Sequence, residues 1–183
     1  IEMRQPIGKQ WKVTLGQHVR FDQNLTQVSD IMPELSAQFR LCRYLRFVVG
    51  WRYIYARSGD DFVHRQRLHG DSVLRSRIGY IRLDYRLRLQ EKIQAGSNRH
   101  TMRHRIRCRV KKYKRITPFL SAELSSRFGN KQGMRLHRWR ATAGAELSLK
   151  HHELSMFYRH QDYIADPDAS SLHIIGLAYS YEL

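Results

Sequence analysis

Arginine recurs at alternate positions in two stretches of this chain. Arg82, Arg86 and Arg88 stand in Ile81-Arg82-Leu83-Asp84-Tyr85-Arg86-Leu87-Arg88-Leu89-Gln90, and Arg103, Arg105, Arg107 and Arg109 stand in Met102–Val110. A guanidinium presents its donors in a rigid planar fork that matches a carboxylate or phosphate through paired hydrogen bonds. A row of such forks on one face can grip the chain's own acids, or it can grip an anion from outside. The acids are outnumbered: 33 Lys and Arg face 16 Asp and Glu, a formal net charge of +17.

Catalytic groups are sparser. His160, Asp162 and His173, with Ser125, Ser126, Ser155, Ser170 and Ser171, are the candidates for a serine-based lipid hydrolase or acyltransferase, in which a histidine activates the hydroxyl and a carboxylate orients the histidine. No serine stands in a Gly-x-Ser-x-Gly elbow. Ten histidines in one chain also bring some of them near acids by chance. The sequence leans against an enzyme and calls for no cofactor. Metal binding is weaker still. His151-His152-Glu153 alternates between faces on a strand, and Cys42 and Cys108 lack metal-ligand spacing. By parity Cys108 faces outward from its strand, while Cys42 lies at a turn several strands away. That separation argues against a disulfide, which needs Cα atoms within about 7 Å.

The element that positions side chains with period two is the β-strand. Ten strands can be laid along the chain: Gln10–Phe21, Pro33–Leu41, Tyr44–Ala56, Phe62–Gly70, Gly79–Glu91, Thr101–Val110, Thr117–Phe128, Arg135–Leu149, His151–Gln161 and Leu172–Leu183. Nearly all carry one apolar and one ionic face at a length that crosses a bilayer. No apolar run reaches the eighteen or so residues of a helical span. The pattern predicts an all-β, antiparallel up-and-down transmembrane β-barrel filling residues 1–183 as a single domain, with residues 1–9 as a periplasmic N-terminal extension. Val63–Gly70 is polar for a strand and Asp71–Arg77 is long for a turn. An eight-stranded barrel with that region looped out is therefore the alternative.

Aromatics near strand ends, among them Trp11, Phe21, Tyr44, Trp51, Phe128, Trp139 and Tyr158, fit two interfacial girdles. The loops Asp22–Met32, Arg57–Asp61, Lys92–His100, Gly129–Met134 and Asp162–Ser171 read as longer than the turns at the other end, which predicts both termini on the periplasmic side. The opening residues carry no apolar signal segment, so the sequence reads as a mature form. Lys111, Lys112, Lys114, Arg115 and Lys131 fall near the rims, where lipid phosphates lie.

In such a barrel the ionic face lines the lumen. Lys12, Arg20, Arg40, Arg46, Arg52, Arg82, Arg86, Arg88, Arg103, Arg105, Arg107, Arg109, Arg127, Arg138, Arg140 and Arg159 point inward on this register, with Glu34, Asp84, Glu123, Glu146, Glu153 and Glu182 as the acids. The leading expectation is an interior filled by an ionic network. An anion-selective pore is the alternative, since unpaired guanidiniums in a shielded space call for a counter-charge. A soluble, basic, nucleic-acid-binding β-protein is a further alternative. It requires the arginines on one outer face with aromatics interleaved, so nucleic acid is not the expected partner.

The chain ends Gly176-Leu177-Ala178-Tyr179-Ser180-Tyr181-Glu182-Leu183. This resembles the terminal recognition strand of bacterial outer-membrane proteins, with Tyr179 and Tyr181 at alternate positions and Leu183 in place of the usual final Phe. Together with Arg82–Gln90, Pro118–Phe128, His137–Leu149 and Leu154–Gln161, it resembles a family of short bacterial outer-membrane barrels designated only as a domain of unknown function. The resemblance implies a fold and a place, the outer membrane of a Gram-negative bacterium. It also implies lipid and lipopolysaccharide as surroundings, and engagement of the barrel-assembly machinery through Gly176, Tyr179, Tyr181 and Leu183. The expected role is a structural or accessory subunit of a larger outer-membrane complex.

Overall fold

The computed structural model describes all residues except 23–26, 59–60, 95–96, 112, 114, 130–132 and 165–169. Among the described residues the period-two pattern becomes eleven strands: β1 (Glu2–Ile7), β2 (Trp11–Asp22), β3 (Gln27–Arg40), β4 (Leu45–Ser58), β5 (Asp61–Ile78), β6 (Ile81–Gln94), β7 (Ser97–Val110), β8 (Ile116–Gly129), β9 (Gly133–Leu149), β10 (His152–Tyr163) and β11 (Leu172–Glu182). They close into one barrel in which each strand pairs antiparallel with the next in sequence, and β1 pairs with β11 to complete the ring. An odd number of alternating strands leaves the first and last pointing the same way. The β1–β11 seam is accordingly parallel, with Glu2 opposite Ser180 and Arg4 opposite Glu182.

The count of eleven corrects the expected ten, and the eight-stranded alternative with it. The added strand lies within the stretch read as an N-terminal extension: Glu2–Ile7 joins the wall, hydrogen-bonding β2 from Glu2↔Gly16 to Ile7↔Trp11. The region Phe62–Arg77 is the second correction. It is neither loop nor short strand but most of β5, which runs 18 residues from Asp61 to Ile78. Its polar residues Arg65, Arg67, His69 and Asp71 occupy alternate positions and face inward, away from lipid, and Asp71 and His69 find ionic partners there. Polarity on that face therefore does not break the strand. A third difference concerns the connections. Because β3 begins at Gln27 and β7 at Ser97, the spans Asp22–Met32 and Lys92–His100, expected as long loops, are mostly strand, whereas eight residues separate β10 from β11 within the expected loop Asp162–Ser171. Gly79, at φ 56°, makes the tight turn from β5 to β6. Lys112, Lys114 and Lys131, expected as rim bases, lie outside the described residues.

One rim carries the β1–β2, β3–β4, β5–β6, β7–β8 and β9–β10 connections and the C-terminal residue, and is termed here the C-terminal rim. The other is the distal rim. Burial is inverted relative to a water-soluble sheet. Val49 is 63% exposed, Leu120 65% and Ile175 81% on the outer face, whereas Asp84 is 3% and Glu123 8% exposed on the inner one. Few apolar side chains are buried; Met32, Ile54 and Ala56 form one small cluster.

Candidate functional site: an arginine-lined inner wall

Direct register sets like charges against each other on β6 and β7, where Arg82 faces Arg109, Arg86 faces Arg105 and Arg88 faces Arg103. Opposed like charges destabilise a ladder. Relief comes from acids on neighbouring strands, each shared by two or three arginines. Asp71 on β5 accepts both branches of the Arg88 fork, Nε at 2.6 Å and Nη2 at 2.8 Å, with Arg86 at 3.7 Å. Glu123 on β8 takes Arg86 at 3.0 Å, Arg140 at 3.2 Å and Arg103 at 3.9 Å. Asp84 on β6 takes Arg75 at 2.9 Å, Arg82 at 3.5 Å and, more closely, Arg109. Glu146 on β9 takes Arg107 at 2.6 Å and Arg109 at 3.5 Å.

Smaller ionic groups extend the set around the wall. Glu34 on β3 binds Arg52 closely, with His18 at 3.4 Å and the buried His69 at 3.7 Å. Gly50 sits directly opposite His69 in the ladder, where a Cβ would collide with the imidazole. The seam is bridged on the same face: Arg4 reaches Glu153 at 3.3 Å and Lys12 reaches Glu182 at 2.6 Å. Arg140 Nε donates to Gln161 at 2.7 Å, Arg159 Nε donates to Thr142 at 3.1 Å, and Arg46 donates to Gln38 at 3.4 Å. The guanidinium of Arg107 also stacks 3.8 Å over the ring of Phe119. Arg40, opposite Arg46 at the C-terminal rim, is exposed. Arg105 and Arg138 are half-buried and form no ion pair with a described carboxylate.

The catalytic candidates are only partly brought together. His160 and His173 are direct partners across β10 and β11, with ring centroids 5.0 Å apart, and Trp139 lies 5.1 Å from His160. All three stand on the outer face. Asp162 is on the same strand, and its carboxylate accepts the backbone N–H of Tyr163 at 2.9 Å. Ser125 and Ser126 are buried on β8, and Ser155 is on the opposite face of β10 from His160. Among the described residues no serine hydroxyl hydrogen-bonds a histidine, and no cluster of His, Cys, Asp and Glu is arranged to hold a metal ion.

The outer histidines instead pair with tyrosines. Tyr85 Oη lies 2.7 Å from His104 Nδ1, Tyr158 Oη 2.5 Å from His173 Nδ1, and Tyr179 Oη 2.7 Å from His152 Nδ1. Of the C-terminal residues singled out by sequence, Tyr179 and Leu183 face outward, and Gly176 stands opposite Phe157 on the inner face.

Sequence reading missed Asp71, Arg75, His69, Arg65 and Arg67, all on β5, and the Arg4–Glu2 pair at 2.8 Å on β1. A signal for β5 was present: Arg65, Arg67, His69, Asp71 and Arg75 keep the same parity, and the rhythm does not stop at Gly70.

A closed antiparallel barrel with an apolar outer surface and an ion-paired inner wall belongs to the class built to be surrounded by hydrocarbon. The chain belongs to the family described as "Protein of unknown function (DUF2490)", which matches residues 1–169. The chain shares its fold with solved structures, among them the following two. LpxR from Salmonella typhimurium aligns with a TM-score of 0.61 at 8% identity, covering 100% of this chain and 87% of that one. A bacterial polysaccharide outer membrane secretin aligns with a TM-score of 0.60 at 10% identity, covering 93% of this chain but only 63% of the secretin chain. No curated protein matches the chain in sequence.

Proposed function

We propose that this protein spans the outer membrane of a Gram-negative bacterium as a small barrel with an interior closed by its own ionic network, and that it serves as a structural or accessory component of an outer-membrane assembly. The observation that carries the reading is the inverted burial. Large apolar side chains such as Val49, Leu120, Ile106 and Leu177 stand exposed around the outside, while the carboxylates lie inside. In water such a surface would be one continuous apolar patch, far larger than soluble monomers tolerate. In a bilayer it is the surface in contact with lipid, lipopolysaccharide included.

Sharing each acid among several arginines supports a filled interior over an open channel, in keeping with the narrow bore of barrels of this size. The arginines of β6 and β7 point into the barrel, which leaves nucleic acid no continuous basic face to bind. On this reading the C-terminal strand engages the assembly machinery, the C-terminal rim faces the periplasm, and the distal rim faces outward.

The test is membrane partition of the full chain, with gel migration compared before and after boiling, followed by planar-bilayer conductance. Insertion, a heat-dependent shift in migration and negligible conductance are the expected results. A chain that stays soluble and monomeric without detergent overturns the membrane reading. A steady, ohmic anion current overturns the filled interior.

A further inference from the structure

Charge is not spread evenly along the inner wall. Toward the C-terminal rim most inward cations meet acids, Arg40 and Arg46 excepted: Asp84 and Glu146 are each shared, and Glu153 and Glu182 hold Arg4 and Lys12. Toward the distal rim the balance fails. The inward acids described there are Asp30, bonded to Arg20 at 3.4 Å, Glu34, bonded to Arg52, and Asp61 at the exposed edge. Arg65, Arg67, Arg138 and Arg159 have no described carboxylate within ion-pair distance.

These cations converge. Arg67 on β5 is within electrostatic reach of Arg20 on β2 and Arg138 on β9, which come from other parts of the wall. Arg138 and Arg20 are likewise close to both Arg140 and Arg159, and the acid within reach of that pair, Glu123, is already shared with Arg86 and Arg103. Nearer the edge, Lys92 is within reach of Arg65, Arg67 and Arg127. The cluster also has donors to spare. The Nε atoms of Arg65, Arg67 and Arg138 are buried and unbonded, as are those of Arg46, Arg82, Arg86, Arg103, Arg105, Arg107 and Arg109 elsewhere on the wall. What sets the distal three apart from all of these but Arg46 and Arg105 is that no described carboxylate pairs with the rest of the fork. Shielded guanidiniums that repel one another and keep free donors need a counter-charge with several acceptor oxygens.

We propose that the distal half of the barrel interior is a binding site for a compact polyanion carrying clustered phosphate groups, held between Arg67 on one side and Arg138 and Arg159 on the other. A single small anion would satisfy only one or two forks, whereas donors arriving from β5, β9 and β10 suit a ligand with several charged groups. The guanidinium fork accepts carboxylates as well, so the experiment separates the two chemistries. The site rests on the barrel reading above, because only a closed wall brings these strands face to face.

The test titrates the full chain, folded in non-ionic detergent, with inorganic tripolyphosphate by calorimetry at several salt concentrations, with citrate as the carboxylate arm. Saturable tripolyphosphate binding that weakens steeply with salt is expected, and citrate is expected to bind more weakly. The double variant R67Q/R138Q should lose at least about tenfold in affinity, as removal of two charge-assisted contacts implies. Lys12→Gln, at the opposite rim, should leave affinity unchanged. If the double variant fails to fold, Arg127→Gln at the exposed distal edge gives the same reading through a smaller loss. Absence of saturable binding, equal affinity in wild type and the distal variants, or tighter citrate binding overturns the proposal. Each protein is first checked for heat-dependent migration. Lost binding with intact migration counts against the anion site alone, whereas a wild-type chain that never enters detergent counts against the barrel.

Discussion

Phe157 and Gly176 are direct partners across the β10–β11 ladder, and the ring of Phe157 lies over the glycine where a side chain would otherwise stand. A Cβ on Gly176 would fall 2.6 Å from two atoms of that ring. On its other side Phe157 is partnered by Gly144 of β9, whose own Cβ would come within 2.8 Å of both Phe157 and Phe119. One aromatic thus occupies the space left by two glycines and pins three strands in register, since a one-residue slip would drive the ring into a neighbouring side chain.

Gly176→Val should therefore lower stability by about 2 kcal/mol, the usual cost of overpacking a filled site. Combining it with Phe157→Ala should recover part of that loss. Urea unfolding in lipid vesicles, followed by tryptophan fluorescence, measures both. An unaffected midpoint for the valine variant would show that the ring has room to move away.

Asp71 is the single acid that holds the whole Arg88 fork and steadies Arg86. Asp71→Asn should cost about 3 kcal/mol, because it leaves a guanidinium shielded without a counter-charge. Replacing both partners in D71N/R88M should recover most of that loss, and the double-mutant cycle isolates the coupling. Additive losses would mean that Arg88 is satisfied by water rather than by Asp71.

His104 stands midway along β7 on the apolar outer face, where its Nδ1 has Tyr85 Oη as partner. Tyr85→Phe should cost about 1 kcal/mol by leaving that imidazole nitrogen unbonded. His104→Leu in the same background should return stability to the wild-type value or above it. The same unfolding assay checks this pair. Failure of the leucine to rescue would point to a role for Tyr85 beyond satisfying His104.

The barrel itself was legible because its defining signal is local. Alternation of Leu83, Tyr85, Leu87 and Leu89 with Arg82, Asp84, Arg86 and Arg88 is printed in eight consecutive residues. The inward set on β6, β7 and β9 followed by parity alone. What the sequence hid was set by contacts between distant segments. Val63–Arg77 looks too polar for a strand until Asp71 is seen against Arg88, and Glu2–Ile7 looks like a loose end until its partners on β2 and β11 are known. Loop length misled for the same reason, since residues such as Gln27–Met32 become strand only when a neighbour supplies hydrogen bonds. The uneven charge along the bore was likewise invisible, because parity reports which face a residue takes but not which residues meet across the interior.

The parallel seam has a consequence for the order in which the molecule assembles. Every other ladder joins strands that follow one another in the chain, so each can zip from its own turn at little entropic cost. The β1–β11 joint must bring together the two extremities: Lys12 and Glu182 are 170 residues apart, and Arg4 and Glu153 are 149. Loop closure over such distances is paid only when the intervening sheet has already curled its edges together. A disulfide trap with cysteines at Arg4 and Glu182 should thus form after one placed within the β6–β7 hairpin, and simultaneous trapping would contradict this order. The ring closes last at its shortest strand, and until then the chain is an open, curved sheet with two unpaired margins.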